Sequence, residues 1–300
     1  METRIATTFM KVAELGSITR AAEQLGYSQG AVTLQIKQLE DGLGVPLFDR
    51  IGRGIQLTDA GRRFQEYAAR LVSASKDADA FALDAKEPEG LLIIEATSSI
   101  SIGILTQVLH RFRDNYPKIK VSVRLGEDPS LLVDHVRQNR ADFAAFTAPK
   151  VRFDGCALAA ERKEEFRFVA GPTDPLILQK NVPLEKVLDD TYVATCITTD
   201  WDRRNVYFLE NTLKERGFDV HPSLEFATIA AVVHYIKCNG GHAYLPLSMI
   251  ENELARQELC ILDTEIIDNY NYIQVVHSAT RWINPQMKAF SAFMKQELEI

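Results

Sequence analysis

The chain of 300 residues has few cysteines and no long apolar run, and each scarcity excludes a class of protein. Only four cysteines are present, at Cys156, Cys196, Cys238 and Cys260. Because they show no CxxC spacing and have no paired histidines beside them, we expect neither a zinc site nor a disulfide framework. No segment approaches about 18 continuous apolar residues, the length that a membrane-spanning helix needs. We expect a cytoplasmic protein without a membrane partner, since the first residues form a helical pattern and not a secretion signal.

The sequence also lacks the motifs of common enzyme classes. It contains no GxSxG elbow and no phosphate loop of the GxGxxG or GxxxxGKS/T type. Its histidines are scattered without metal-ligand spacing, at His110, His135, His221, His234, His242 and His277. We therefore expect no catalysis, no metal and no cofactor, and an enzymatic alternative would have to show turnover of a bound ligand. A redox pair of Cys196 and Cys238 stays open as an alternative, because it depends on the fold bringing the two thiols together.

Two short amphipathic helices joined by a glycine turn are predicted between Ser17 and Glu40. Apolar residues recur at helical spacing on both sides of the turn Gly26-Tyr27-Ser28, at Ile18, Ala21, Ala22, Leu25, Val32, Ile36 and Leu39. The second helix has a polar outer face formed by Gln29, Thr33, Gln35 and Lys37. A helix-turn-helix has this arrangement, and it places its second helix in the major groove of DNA. The pattern predicts double-stranded DNA as a partner.

The formal net charge of −7 does not contradict DNA binding once it is divided by region. Residues 1–63 contain eight Lys and Arg against seven Asp and Glu, and residues 64–86 contain three against four. The acidic excess therefore lies in the remainder of the chain. A nearly neutral N-terminal segment makes weak contacts with phosphates, so tight binding requires two or more such segments on one duplex.

A basic hairpin and a long helix are predicted to follow. Two short apolar runs in residues 47–57 flank a Gly-Arg-Gly tip, which predicts a wing whose Arg50 and Arg53 reach phosphates or the minor groove; a solvated turn is the alternative. In residues 58–87, with Thr58 as N-cap, apolar or small residues fall at alternating steps of three and four, at Phe64, Tyr67, Leu71, Ala74, Ala78, Phe81 and Ala85. Such a heptad seam predicts pairing with a second copy, and packing on the chain's own domain is the alternative.

A dense set of residues in positions 1–62 matches one known pattern at fixed offsets. The set consists of Phe9, Gly16-Ser17, Ala21-Ala22, Leu25, Ser28-Gln29, Ala31-Val32-Thr33, Gln35-Ile36-Lys37-Gln38-Leu39-Glu40, Leu43-Gly44, Leu47-Phe48, Arg50, Leu57-Thr58 and Gly61. These residues closely resemble the LysR-type transcriptional regulators of bacteria. One departure is Gly30, where the family usually has proline; glycine there lowers helix stability by up to ~1 kcal/mol. The resemblance implies a winged helix-turn-helix DNA-binding domain over 1–62, a dimerising linker helix over 58–87 and an effector-binding domain over 88–300.

Candidate DNA contacts follow from the recognition helix. We expect Ser28 to cap this helix, and Gln29 is the best candidate for a base contact because glutamine can pair with adenine through two hydrogen bonds. Thr33 is placed equally well to face the groove or to touch phosphate only. The predicted DNA-binding residues are Ser28, Gln29, Gly30, Ala31, Thr33, Gln35, Lys37, Arg50 and Arg53.

From Gly90 onward the pattern alternates between strands and helices. Apolar runs predict strands at 91–96, 121–125, 143–146, 166–170, 192–196, 243–245 and 273–276, and helical patterns occur near 102–115, 129–139, 203–216, 228–238, 247–254 and 285–299. This alternation predicts an α/β domain with largely parallel, buried strands. The resemblance implies a fold like that of type 2 periplasmic binding proteins, with two subdomains around a ligand cleft. We expect subdomain one at 88–150 and 269–300, and subdomain two at 151–268.

The effector is expected beyond the carboxyl ends of strands, beside helix N-termini that favour anions. Two hydroxyl-rich segments fit this position, 97–101 and 198–201, so we expect a carboxylate-bearing effector; ordinary helix capping is the alternative reading of these hydroxyls. Carboxylates at Glu127 and Asp200 oppose an anion unless Arg203 or Arg204 neutralises them, which leaves an amine or polyhydroxyl effector open. The predicted effector-binding residues in these two segments are Thr97, Ser98, Ser99, Ser101, Thr198, Thr199 and Trp201. The resemblance implies three further ones in cleft-side loops, Glu127, Thr147 and Thr228.

Together these patterns predict a sequence-specific regulator of transcription whose DNA binding or bending changes when a small effector binds. The resemblance implies a homodimer or a homotetramer built as a dimer of dimers, and it makes RNA polymerase a further candidate partner. The rival hypothesis is an architectural DNA binder with a ligand-free cleft, whose operator affinity and bend angle would be indifferent to every metabolite.

Overall fold

The computed structural model describes residues 2–51, 54–81, 87–188, 191–195, 208–218, 220, 222–267 and 271–298. The chain divides into two compact units, the first containing Met1–Glu87 and the second built mainly from Pro88–Val136 and Ala141–Ala279. Within the described ranges, no helix has both the length and the apolar character that crossing a bilayer requires.

The described residues of the first unit form four helices and a hairpin. Its elements are α1 (Thr3–Leu15), α2 (Ile18–Leu25), α3 (Gln29–Leu43), β1 (Phe48–Ile51), β2 (Gly54–Leu57) and α4 (Asp59–Phe81). The two strands pair antiparallel, with Ile51 opposite Gly54. The structure thus confirms the helix-turn-helix and the wing hairpin.

Phe9 lies in the core of the first unit and contacts aromatic side chains from two other elements. Phe9 of α1 is fully buried, and its ring lies 5.1 Å from that of Phe48 at the start of the wing and 5.0 Å from that of Phe64 in α4. Around it pack the apolar residues that the helical spacing identified in α2 and α3, including Ala21, Val32 and others of the same cluster. Burial of one face of each helix leaves the opposite face of α3 in solvent.

The second unit alternates strands and helices. Its strands are β3 (Gly90–Ala96), β4 (Ile119–Leu125), β5 (Phe143–Pro149), β6 (Cys156–Lys163), β7 (Phe166–Ala170), β8 (Val193–Thr195), β9 (Leu224–Phe226), β10 (His242–Pro246), β11 (Cys260–Ile261) and β12 (Asn271–Ser278). Its α-helices are α5 (Ser98–Ile100), α6 (Thr106–Asn115), α7 (Pro129–Arg137), α8 (Leu184–Val187), α9 (Phe208–Glu215), α10 (Ile229–Asn239), α11 (Glu251–Ala255) and α12 (Pro285–Leu298). A π-helical segment (Ser101–Leu105) joins α5 to α6, and short 3₁₀ turns cover Pro175–Leu178 and Leu247–Met249.

The sheets of the second unit are mixed, so the prediction of largely parallel strands was wrong. A five-stranded sheet has the order β4-β3-β5-β12-β6, in which β3 runs parallel to β4 and β5. Strand β12 runs antiparallel to both of its neighbours, because the chain returns to this sheet from the opposite direction after building the second one. In the second sheet β7 is antiparallel to β10 and β11, while β8 and β9 form a separate parallel pair.

The strand β6 shifts the first expected subdomain boundary. We expected residues 151–268 to form subdomain two, but β6 pairs with β12 along the edge of the five-stranded sheet. The chain therefore leaves that sheet after Lys163 and not near residue 150. Only one residue of this edge strand is fully buried, its apolar residues are mostly small, and its last three residues are charged, which is why the sequence pattern missed it. On the return, Ile267 packs in the core beside the second sheet and Asn271 begins β12.

Candidate nucleic-acid interface and effector cleft

The recognition helix α3 begins with the cap that the sequence predicts. The Ser28 hydroxyl accepts a hydrogen bond from the Ala31 N–H at 3.2 Å, which satisfies one N–H of the first turn. Val32, Ile36 and Leu39 face the core, whereas Gln29, Gly30, Thr33 and Lys37 are exposed and Ala31 is half-buried. Apart from Ala31 and Gln35, which are both half-buried, the predicted contact residues of α3 are therefore exposed.

Gln35 has a structural partner that the sequence did not indicate. Its Oε1 accepts a hydrogen bond of 2.6 Å from the hydroxyl of Thr8, a buried residue of α1. This bond fixes the second and third turns of α3 against α1 and removes one acceptor of Gln35 from the surface. The structure thus places Gln35 as a residue that positions the recognition helix. At Thr33 the hydroxyl donates to the Gln29 carbonyl at 2.9 Å within the helix.

Glu40, Thr58 and Gly61 fix the position of the wing relative to α3 and α4. The Glu40 carboxylate accepts hydrogen bonds from the N–H groups of Leu47 at 2.7 Å and Phe48 at 3.1 Å. Thr58 caps α4 as predicted, since its hydroxyl accepts from the Gly61 N–H at 2.9 Å, and it also donates to the Pro46 carbonyl at 2.8 Å. A Cβ at Gly61 would lie 2.1 Å from the Leu47 carbonyl oxygen, so only glycine lets α4 pass this close to the wing.

The two predicted wing arginines, Arg50 and Arg53, are only partly covered by the described residues. Arg50 lies in β1 opposite Ile55, and its side chain is not among the described groups. Arg53 at the tip lies outside the described residues. The two arginines stay predictions as DNA contacts.

The linker helix presents two different faces. Phe64 and Ala68 are buried in the core of the first unit, whereas Tyr67 is 61% and Leu71 is 38% exposed. Ala74 and Ala78 are exposed as well. We call Tyr67, Leu71, Ala74 and Ala78 the linker seam. Phe64 therefore belongs to the core and not to the predicted seam, while the other four described residues leave an apolar stripe uncovered.

The expected effector residues converge in part at the carboxyl end of β3. Helical structure begins at Ser98, earlier than predicted, so Ser98, Ser99 and Ser101 lie in helical turns. The Thr97 and Ser99 hydroxyls are 3.2 Å apart, and the Thr97 side chain makes no cap hydrogen bond. The Ser98 N–H points to the Glu127 carboxylate at 3.5 Å. Hydroxyls, an N–H group and one carboxylate thus meet beyond β3 and β4.

The other expected effector residues are not joined to this group. Thr147 lies in the adjacent strand β5, two residues beyond Ala145, whose carbonyl accepts from the Thr97 N–H at 3.1 Å. Thr228 caps α10, accepting from the Ala231 N–H at 3.3 Å, which supports the capping reading for this residue. Thr198, Thr199 and Trp201 lie outside the described residues, as do Asp200 and Arg203–Arg204. The alternative of a redox pair between Cys196 and Cys238 involves Cys196, which also lies outside the described residues.

A charged cluster fixes the segment that follows β5. The Glu161 carboxylate accepts hydrogen bonds from Arg152 and from Gln274, each at 2.8 Å, and Lys150 lies 3.6 Å away. The hydrogen bond from Arg152 holds the pKa of Glu161 below its ordinary value, with a smaller opposing effect of burial. Gln274 also donates to the Val151 carbonyl at 3.2 Å. These contacts hold residues 150–152 against the edge strand β6 and its neighbour β12.

Comparison with known proteins gives matches along nearly the whole chain. Residues 85–299 match the family model of the LysR substrate binding domain, and residues 4–62 match that of the bacterial regulatory helix-turn-helix protein, lysR family. The chain is 26% identical over 291 residues to the uncharacterized HTH-type transcriptional regulator YwqM of Bacillus subtilis (strain 168), covering 97% of each. It is 30% identical over 259 residues to the HTH-type transcriptional regulator YofA of Bacillus velezensis, covering 86% of this chain and 85% of that one.

Solved structures share the fold. A full-length OxyR variant from Pseudomonas aeruginosa superposes with a TM-score of 0.73 at 16% identity, covering 100% of this chain and 95% of that chain. Full-length CbnR complexed with its target DNA has a TM-score of 0.66 at 18% identity, covering 100% and 99%. The two family models and the curated relatives are those of DNA-binding regulators of transcription with an effector-binding domain, so this chain is such a regulator and not an enzyme. The chain belongs to the LysR family of bacterial transcriptional regulators.

Proposed function

We propose that this regulator binds promoter DNA as a dimer or tetramer, and that a carboxylate-bearing effector beyond β3 changes how it binds or bends that DNA. The Thr97–Ser99 hydroxyl pair is the observation that carries the effector proposal. Hydroxyls at a helix start usually bond to N–H groups of the first turn. The Thr97 side chain accepts no such bond, and because the Thr97–Ser99 contact uses the hydrogen of only one of the two hydroxyls, the other hydroxyl hydrogen can be donated to a ligand oxygen.

The electrostatics of the cleft decide which effector binds. The Ser98 N–H, at the start of the helical segment, is directed to the Glu127 carboxylate at the long distance of 3.5 Å. A carboxylate of the effector would compete for the same N–H and would make a shorter, stronger bond only if Glu127 moved aside. We propose that Glu127 is displaced on effector binding.

Glu127 also favours a second candidate. If the Glu127 carboxylate stays in place, it offers a partner for a cationic or hydroxyl-bearing group. The effector would then be an amine or a polyhydroxyl compound, with Thr97 and Ser99 completing the hydrogen bonds. The two candidates differ in the sign of charge that the cleft accepts.

The DNA side of the proposal rests on the exposed face of α3. We propose that Gln29 and Thr33 contact bases, that Lys37, Arg50 and Arg53 contact phosphates, and that Ser28, Gly30 and Ala31 lie at the groove through the first turn. We further propose that the linker seam pairs with a second copy, so that two recognition helices reach half-sites about one helical turn, or a multiple of it, apart. RNA polymerase at the promoter, in the cytoplasm, is the candidate partner of the bound assembly.

The test is a ligand titration of the full-length protein. Aromatic acids, amino acids, sugar acids and amines of matched size are added while tryptophan fluorescence is followed. We expect carboxylates to produce a saturable change, and Glu127→Gln to strengthen their binding because a like charge is removed. A response to amines alone, abolished by Glu127→Gln, would contradict the carboxylate proposal and support the second candidate.

The titration is completed on DNA. A promoter duplex from the chain's own locus is bound with and without each ligand that responds, and affinity and bend angle are measured. An effector with a coupling energy of about 1–3 kcal/mol would change operator affinity by about five- to 150-fold. Equal affinity and equal bend angle with every ligand would support an architectural DNA binder instead.

A further inference from the structure

The outer face of the recognition helix carries one large apolar side chain. Leu34 is 57% exposed, whereas Leu39 on the inner face of the same helix is 5% exposed. Gly30 precedes Leu34 by one turn and Gln38 follows it by one turn, so the three share a face with Thr33 and Lys37. Leu34 therefore stands among the residues proposed to enter the major groove.

The core that the described residues of the first unit form does not explain an exposed leucine at this position. Leu34 is absent from the core formed by Phe9, Val32 and their neighbours. Gly30 beside it is not required by packing either, because a Cβ there would have no atom within 4 Å, and its backbone is not in the left-handed region. The helix thus presents a bare backbone turn followed by an apolar side chain.

The chemistry of the groove supplies a partner. Among the groups that base pairs present in the major groove, the C5-methyl of thymine is the apolar one. We propose that Leu34 packs on a thymine methyl in each half-site, and that the missing side chain at Gly30 lets the helix approach closely enough for this contact. This proposal rests on the proposed function, in which α3 reads bases.

The polar residues on the same face do not make the contact redundant. The Thr33 hydroxyl donates to the Gln29 carbonyl inside the helix, so its hydrogen is already used. Lys37 is a cation suited to phosphate and carries no base information there. Leu34 thus adds a contact that distinguishes thymine from uracil, two bases that present the same hydrogen-bonding groups in the major groove.

The experiment removes the methyl from the DNA and the leucine from the protein. A duplex is first enriched from a randomised library with the full-length protein, and each thymidine is then replaced by deoxyuridine in turn. Affinities are measured for the wild type, for Leu34→Ala and for Leu43→Ala, the last being a matched control because Leu43 is 43% exposed at the far end of the same helix. Thermal melting and affinity for random duplex check that each variant is folded.

We expect one thymidine per half-site at which uracil weakens the wild type and Leu43→Ala by about three- to fivefold, the effect of removing one buried methyl. Leu34→Ala should bind the two duplexes equally at that position. If no uracil substitution weakens the wild type, or if Leu34→Ala is weakened to the same extent, the proposal is wrong. A library that yields no enriched duplex would contradict base reading by α3 itself, which is a different failure.

Discussion

Glu164 accepts two hydrogen bonds from Ser248, one from its N–H at 3.3 Å and one from its hydroxyl at 2.6 Å. Glu164 lies between β6 and β7, where the chain passes from the five-stranded to the three-stranded sheet, and both residues are buried. The Glu164 N–H also donates to the Asn271 carbonyl at 2.9 Å, so the outgoing and returning segments are bonded to each other. The buried carboxylate of Glu164 thus links the segment between the two sheets to the 3₁₀ turn Leu247–Met249.

The first prediction concerns the pH dependence of stability. Burial raises the pKa of Glu164, and the hydrogen bonds from Ser248 only partly oppose this effect. Because the folded chain holds this proton more tightly than the unfolded chain, the contribution of protonation is fully present below the ordinary pKa and is lost as the pH rises through the raised value. Denaturant unfolding between about pH 4 and pH 8 should show this loss in the wild type and not in Glu164→Gln, which has no proton to lose.

The control for this measurement is the neighbouring carboxylate. Glu165 is exposed, and Glu165→Gln leaves the contact between Glu164 and Ser248 intact, so this variant should show the same loss as the wild type. The unfolding free energy of Glu164→Gln minus that of the wild type should therefore increase with pH. The same difference for Glu165→Gln should not change with pH. Parallel profiles for Glu164→Gln and wild type would show that Glu164 titrates normally.

The second prediction concerns the contact of the π-helical segment with the same 3₁₀ turn. A Cβ at Gly103 would lie 2.9 Å from the Ser248 carbonyl oxygen and 3.1 Å from the Met249 Cα, and backbone atoms cannot move aside cheaply. Gly103→Ala should therefore destabilise the chain by about 1–3 kcal/mol, although alanine is the better helix former. Calorimetry of the full-length protein measures the change.

The matched control has the opposite expected sign. A Cβ at Gly42 in α3 would meet no atom within 4 Å, so Gly42→Ala should stabilise the first unit by about 0.5–1 kcal/mol. If Gly103→Ala stabilises the chain, the backbone of Ser248 and Met249 must move to make room for the Cβ. The close approach of Gly103 to this turn would then not constrain the π-helical segment.

The sequence predicts helices correctly where burial of one helix face makes apolar residues recur at helical spacing. The core residues Ala21, Val32, Ile36 and Leu39 occupy one helical face, so their spacing predicts α2 and α3. The Ser28 and Thr58 caps were predictable for the same local reason, because each bonds to an N–H of its own first turn. A hydrogen bond within one helical turn can be predicted from a short stretch of sequence, whereas a tertiary contact cannot.

The hydrogen bonds that the sequence does not predict join residues that are distant in the chain. The bond from Thr8 to Gln35 spans 27 residues and that from Ser248 to Glu164 spans 84, so no spacing rule links either pair. Nor does the pattern reveal that Leu34 is exposed, since a leucine in a helix is more often core. The hydroxyls of the effector cleft illustrate the same limit, because Thr97 and Thr228 look alike in sequence, yet only Thr228 makes a cap hydrogen bond.

The third prediction tests the linker seam. Tyr67 and Leu71 are exposed large side chains on α4, and Arg70 is an exposed residue of the same helix outside the seam. If the seam pairs with a second copy, Tyr67→Ala combined with Leu71→Ala should weaken dimerisation by at least ~2 kcal/mol, or roughly thirtyfold. Sedimentation measures the dissociation constant, and Arg70→Ala should leave it unchanged. An unaltered dimer in the double variant would place the interface elsewhere.

The fourth prediction separates base reading from phosphate binding on α3. Gln29 and Lys37 are both exposed, but an amide can discriminate bases whereas a lysine contact to phosphate is independent of sequence. Gln29→Ala should weaken binding to an enriched duplex by about 1–3 kcal/mol and leave binding to random duplex nearly unchanged. Lys37→Ala should weaken both to a similar degree and reduce the salt dependence by about one phosphate contact. Affinities for both duplexes are compared over a salt series, and equal losses for Gln29→Ala on enriched and random DNA would show that Gln29 does not read a base.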